Sequence, residues 1–223
     1  MLETYLDRMA ELLLEEGLLL EEGLHSLDRV SDTPEDIQDK VGPWSPDWTS
    51  DKHDEVRNVA RIRTLTTLRR LDGRCKALLL QFLYEAHLCP KGKPIVVLVG
   101  ADLRGAELER AKLGRAHLDR VDLSGANLKE ARLIGASLFG ADLAGADLTR
   151  TNLVATNLTR ANLERAKLQG ANLTKASLRA ANLTGANLSG AIVTAEQLAS
   201  AHSLKGAILP NGRSNPEAAL RRL

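Results

Sequence analysis

A leucine stands at every fifth position from Leu98 to Leu188, nineteen in unbroken register. Two residues before each sits Ala, replaced only by Val96, Val121, Thr151 and Thr156. A period of five matches neither an α-helix nor a strand. On a helix a step of five turns about 140°, which scatters the leucines over the whole surface. On a flat strand it alternates faces. One geometry buries them together: a chain that turns a corner of about 90° after every five residues, so that four pentapeptides close a square coil of about 20 residues and coils stack at about 4.8 Å. Residues 96–193 then make nearly five coils.

The other repeat positions agree. Alanine is small enough to share the interior with leucine. The residue between them points outward and is polar, as at Asp102, Glu107, Lys112, His117 and Asn127. Two after the leucine, Gly alternates with Arg, Lys, Glu and Ala. That position suits a tight turn, which glycine enters readily but does not monopolise.

These words, such as ADLAG, ADLTR, ANLTG and ANLSG, strongly resemble the A(D/N)Lxx signature of the pentapeptide-repeat family. The resemblance covers about 98 of 223 residues. It implies a mainly β fold, a right-handed quadrilateral β-helix. It does not by itself imply an activity. Residues 55–88, EVRNVARIRTLTTLRRLDGRCKALLLQFLYEAHL, resemble a helical segment that precedes the repeats in some bacterial members, where membrane helices can lie further upstream.

Three segments follow: residues 1–94, an acidic arm and basic helical hairpin capping the N-terminal end; 95–193, the solenoid; and 194–223, a C-terminal helical cap and tail. Net charge is only +1, but it is uneven. Residues 1–55 hold 16 acidic and 4 basic side chains, whereas residues 56–95 hold 2 acidic and 9 basic. The economical reading lays the arm on the hairpin. Aromatic residues make up 3% of the chain, poor for an ordinary core but sufficient where Leu and Ala fill a solenoid. Two cysteines, Cys75 and Cys89, fit reduced thiols in a cytoplasmic chain. No apolar run reaches the roughly 18 residues of a membrane span.

Leu2, Tyr5, Leu6, Met9, Leu12 and Leu13 form a helical stripe that needs a partner, and the chain's own second helix is the simplest one. Residues 21–55 read as a long loop, with Trp44 and Trp48 pinning it to the body. A helix is expected over 51–71, with Val56, Val59, Ala60, Arg63, Thr64 and Thr67 on one side and Ile62, Leu65, Leu68 and Leu71 broadening it. Gly73 is expected to break it. A second helix over 74–87 would turn Cys75, Leu78, Leu79, Phe82 and Leu83 inward. Ile95–Val99 reads as a β-rich entry to the first coil. Thr194-Ala195-Glu196-Gln197 is a capping-box pattern, so a short helix is expected over 195–201, with Leu198 and Leu204 closing the last coil.

No catalytic set, metal-ligand spacing or phosphate loop is present in the sequence, so no enzyme activity, cofactor or metal is expected. Asp102, Asp122, Asp142, Asn162 and Asn182 are 20 apart and should stack as an external ladder held by side-chain hydrogen bonds. Outward threonines at 149, 159, 174 and 184 fall on four different faces, which excludes a flat ice-binding array.

Two candidate surfaces remain. Ile134, Phe139 and Val154 form an outward apolar cluster, a candidate protein contact. Arg57, Arg61, Arg69, Arg70 and Arg74 form a candidate polyanion surface for nucleic acid or anionic membrane. The favoured function is a non-enzymatic scaffold that binds another protein. The resemblance also implies a third possibility, a DNA mimic that binds a topoisomerase, but the repeats carry 13 basic and 9 acidic residues, the wrong sign for a mimic.

Overall fold

The computed structural model describes residues 4–5, 51–85 and 97–214. The rest of the N-terminal stripe, the loop with Trp44 and Trp48, Cys89, the Ile95–Val96 entry and the tail beyond 214 lie outside the described residues. The chain divides into two compact units, residues 1–64 and 65–223.

Helix α1, Asp51–Leu68, begins in the first unit. There Ala60 and Thr64 are buried, and so is Tyr5. The Thr64 hydroxyl donates to the Ala60 carbonyl at 2.8 Å, which leaves its lone pairs for the Tyr5 phenol at 2.6 Å. Tyr5 therefore docks on this helix. Ile62 is 56% exposed and Arg63 is also exposed, so the packed stripe is Ala60, Thr64 and Leu68, a spacing of four. The helix stops at Leu68, three residues earlier than expected, and Arg69–Arg70 turn the chain.

In the second unit, helix α2 spans Gly73–Glu85. Gly73 opens this helix instead of ending the previous one, and the Asp72 carboxylate accepts the Cys75 N–H at 2.7 Å. The reason is contact. The Gly73 carbonyl accepts the Glu107 N–H at 3.0 Å, and a Cβ at Gly73 would lie 2.1 Å from the Gly105 oxygen. That close approach turns Lys76, Leu79, Leu80 and Leu83 inward. Leu78, expected inside, is 49% exposed. Cys75 and Phe82 are half-buried.

From Asp102 the chain climbs by twenties. Parallel bridges join Asp102 to Asp122, Glu107 to Asn127, Lys112 to Arg132 and His117 to Ser137, and each series repeats upward. These four rows define four sides, numbered one to four in that order. Leucines and alanines of the repeat are buried, most with no exposure at all, except Ala111 in the first coil, which is half-buried. Among the described residues no extended strand forms, and Val97–Gly100 is no strand either. The chain is extended only briefly before each corner, so every side contributes single bridges.

Corners are closed by hydrogen bonds such as Ala106 N–H to the Leu103 carbonyl, 3.1 Å. The residue two after each leucine adopts positive φ, including non-glycines such as Arg110 (58°) and Arg115 (60°). The left-handed corner is therefore imposed by stacking, against a local cost of about 1–2 kcal/mol per non-glycine residue. The Asp or Asn before the leucine serves the same corner. Its oxygen accepts the N–H of the residue after the leucine, as from Asp122 to Ser124 (3.0 Å), Asn152 to Val154 (3.2 Å) and Asn182 to Thr184 (3.1 Å). This bond, worth about 1 kcal/mol, is a physical reason for D/N at that position.

Thr151 and Thr156 replace interior alanines, and their hydroxyls donate to the Leu128 and Leu133 carbonyls at 2.7 Å. Helix α3, Ala195–Ala199, is capped by the reciprocal Thr194–Gln197 pair. It takes the place of a fourth-side pentapeptide. The ladder then resumes one residue out of step, Asn182 with Ser203 and Asn187 with Ile208.

Candidate functional site

The candidate apolar residues Ile134, Val154 and Phe139 sit where the third side turns into the fourth and just beyond. Ile134 and Val154 lie in register on successive coils, tied by the Gly135 N–H to Val154 carbonyl bond at 2.9 Å. Ile134 is 41% exposed, while Val154 and Phe139 are half-buried. Phe139 holds the equivalent position one side further on, and the Arg160 guanidinium lies 5.9 Å from its ring centre. The structure thus brings the three together on two adjacent sides.

The charges divide between the sides, each taken with the corner that follows it. Sides one and two hold eight carboxylates and six cations. The ion pairs of the solenoid among the described residues all lie there, including Arg104–Asp122, Arg110–Glu130, Lys129–Asp147 and Arg165–Glu164. Burial pushes the Asp147 carboxyl up, but Thr149 hydrogen bonds and the Lys129 and Lys167 ammoniums outweigh it and hold the group below its ordinary value. On side three Lys112, Arg115, Arg132 and Lys175 are all exposed, with no carboxylate among them. On side four Arg120, Arg160 and Arg179 are exposed, and one carboxylate, Asp119, accompanies them. Asp119 is occupied by the Ser137 hydroxyl and the Phe139 N–H.

The polyanion candidates are spread out. Arg57 and Arg61 are half-buried on α1 in the first unit, whereas Arg69, Arg70 and Arg74 are exposed in the second. The Asp/Asn ladder on side one is joined by hydrogen bonds, Asn182 to Asn162 at 3.2 Å and Asn162 to Asp142 at 3.0 Å. At its foot Lys76, only 5% exposed, reaches Asp102 at 2.9 Å and the Arg104 carbonyl at 3.1 Å. The Arg104 guanidinium, with Lys76 beside it, holds the Asp102 carboxyl far below the usual carboxylate range. Sequence reasoning missed both the charge division and the buried lysine. Sorting outward positions by twenties would have exposed the first. The second needed the rotation of α2. Among the described residues, no group of His, Cys, Asp and Glu is arranged to hold a metal.

Residues 116–153 and 156–194 match the family described as pentapeptide repeats, in 8 copies. A pentapeptide repeat protein from Nostoc Pcc 7120 is 40% identical, over 39% of this chain and 69% of its own, with a TM-score of 0.37. This chain belongs to the pentapeptide repeat family. A second pentapeptide repeat protein, from the Arabidopsis thaliana thylakoid lumen, is 31% identical over 52% of this chain and 82% of its own, with a TM-score of 0.33. A third, from the cyanobacterium Cyanothece 51142, is 35% identical over 46% of this chain, with a TM-score of 0.33; the match spans 56% of that protein's length. No curated protein matches the sequence. Pentapeptide repeat proteins fold as right-handed quadrilateral β-helices, and they are generally structural or interaction proteins. Among the described residues, no helix is long and apolar enough to cross a membrane.

Proposed function

We propose that this pentapeptide repeat protein is a non-enzymatic interaction module, with Ile134, Phe139 and Val154 as the centre of a protein-docking surface. One observation carries the reading: the three large outward apolar side chains of the middle coils fall together on adjacent sides whose other outward positions on those coils are mostly polar or charged, the remaining exposed large apolar residue of side three, Ile192, lying at the far end of the stack. Apolar side chains grouped at the middle of a polar surface are the usual anatomy of a protein contact. In this reading α2 closes one end of the solenoid through Gly73 and Lys76, and the segment from α3 onward closes the other. The segments 1–94, 95–193 and 194–223 are then arm and cap, solenoid, and second cap.

Two other readings have less support. A DNA-mimicking topoisomerase binder requires an anionic surface, and sides three and four are cationic. Polyanion binding through Arg57, Arg61, Arg69, Arg70 and Arg74 draws on arginines of two units, two of them half-buried.

The test is capture from a source lysate on the immobilised full chain, beside a variant carrying Ile134→Asp, Phe139→Asp and Val154→Asp. Circular dichroism checks that the variant keeps its fold. A protein retained by the wild type and lost by the variant is the expected result. Equal retention by both would sink the reading.

A further inference from the structure

The same surface carries information about its partner. Seven exposed cations on sides three and four have no ion-pair partner among the described residues, while five of the six cations of the other two sides are engaged by carboxylates, Arg150 being the exception. The arrangement along the stack is not uniform. Lys112, Arg115 and Arg120 lie on the coil below Ile134, and Lys175 and Arg179 lie on the coil above Arg160. Arg132 and Arg160 flank the apolar residues at their own level. The cations therefore surround an apolar centre.

We propose that this surface binds an acidic polypeptide segment that also carries apolar side chains. The proposal rests on the docking function above and specifies its partner. Glu or Asp residues of the segment meet the unpaired arginines and lysines, where opposite potentials raise the association rate and fix register. Its apolar residues cover Ile134 and Val154, which no phosphate backbone would do. A nucleic acid is the poorer fit for another reason. Single strands are held by stacking on aromatic faces, and the one aromatic ring here, Phe139, is already faced by Arg160.

The substitutions needed for the test are compatible with the fold. Glu130 already adopts the left-handed corner at φ 55°, so Arg160→Glu (φ 59°) suits the same corner. Glu107 already occupies the outward row position, so Arg132→Glu does as well. Arg150→Glu, an exposed corner arginine on side two, is the control for charge alone.

The probe is a fluorescent peptide of repeated Glu-Leu-Glu-Glu units, titrated by anisotropy against the full chain. Matched peptides replace Glu by Lys or Leu by Ser, and a DNA duplex serves as a second polyanion. The expected result is binding of the Glu/Leu peptide that falls steeply with added salt. It weakens about tenfold or more in Arg132→Glu/Arg160→Glu, changes little in Arg150→Glu, and is lost with Ser for Leu. Equal or tighter binding of the Lys peptide or of the duplex overturns the proposal, as does an affinity indifferent to the double reversal. A lysate partner lost from the apolar triple variant but fully retained by the double arginine variant would leave the docking function standing and remove the acidic partner. Retention of every lysate protein by the triple variant, with its peptide affinity also unchanged, would remove both.

Discussion

Asp119 accepts the backbone N–H of Phe139 from one coil below, at 3.1 Å, and takes the Ser137 hydroxyl as well. On most rungs the N–H after the leucine is satisfied by the Asp or Asn two residues earlier. Ser137 stands at that position before Phe139, and the carboxylate from the preceding coil does the work instead. One acidic side chain thus completes the corner that presents Phe139, and is itself withdrawn from the surrounding cations.

Asp119→Ala should lower stability by about 1–2 kcal/mol, the cost of a lost bond plus an N–H without its acceptor. Asp119→Asn keeps the acceptor and should recover most of the loss. Thermal unfolding of the two variants beside the wild type checks this. Equal melting temperatures for Asp119→Ala and the wild type would show that water replaces the carboxylate.

Gly73→Ala sets two effects against each other. Helix propensity favours alanine by about 1 kcal/mol. The new Cβ, however, would lie 2.1 Å from the backbone oxygen of Gly105, and neither atom belongs to a flexible side chain. Displacement of α2 should win, with a net loss of about 1–3 kcal/mol. Denaturant unfolding gives the sign, and a stabilised variant would mean that α2 does not rest on the first coil.

The Asp102 carboxyl is depressed by Arg104 first and by Lys76 second. A depressed carboxylate contributes stability above its ordinary value of about 3.9, and that contribution is lost as pH falls through the folded value. The stability difference between wild type and Asp102→Asn should therefore hold steady from neutral pH down to about 4 and shrink below it. In a carboxyl NMR titration, Arg104→Ala should move Asp102 further toward its ordinary value than Lys76→Met. The reverse order would assign the main effect to the buried lysine.

Gln197 has two duties. Its oxygen accepts the Thr194 N–H at 2.9 Å, and its amide donates to the Leu173 and Ala176 carbonyls at 2.7 Å. On regular coils the carbonyl equivalent to that of Ala176 receives a backbone N–H from the next coil, as Ala116 does from Ser137. Gln197→Glu keeps the cap but turns a carboxylate toward two carbonyls, so it should destabilise more than Gln197→Ala. Hydrogen exchange around 195–208 reads the difference. A glutamate variant as protected as the wild type would show that those carbonyls need no donor.

The sequence alone determined the square coil, because nineteen leucines at a spacing of five have one common burial geometry. It also placed the α3 cap, since Thr194 and Gln197 interact across a single turn. Interior hydroxyls at Thr151 and Thr156 were legible for the same reason: the repeat assigns every position a direction. Helix α2 was different. Its length was readable, but its amphipathic pattern admits Leu78 or Leu80 inside, and only the contact of Gly73 with Gly105 and Glu107 chose between them. That rotation also buried Lys76 beside Asp102. The grouping of Lys112 and Lys175 on one side was legible by sorting outward positions by twenties, but which cations reach a carboxylate, as Arg110 reaches Glu130, was set by contacts between coils. Local periodicity is written in neighbouring residues. Rotation of a helix, and the company a surface residue keeps, are set by contacts between residues distant in the chain.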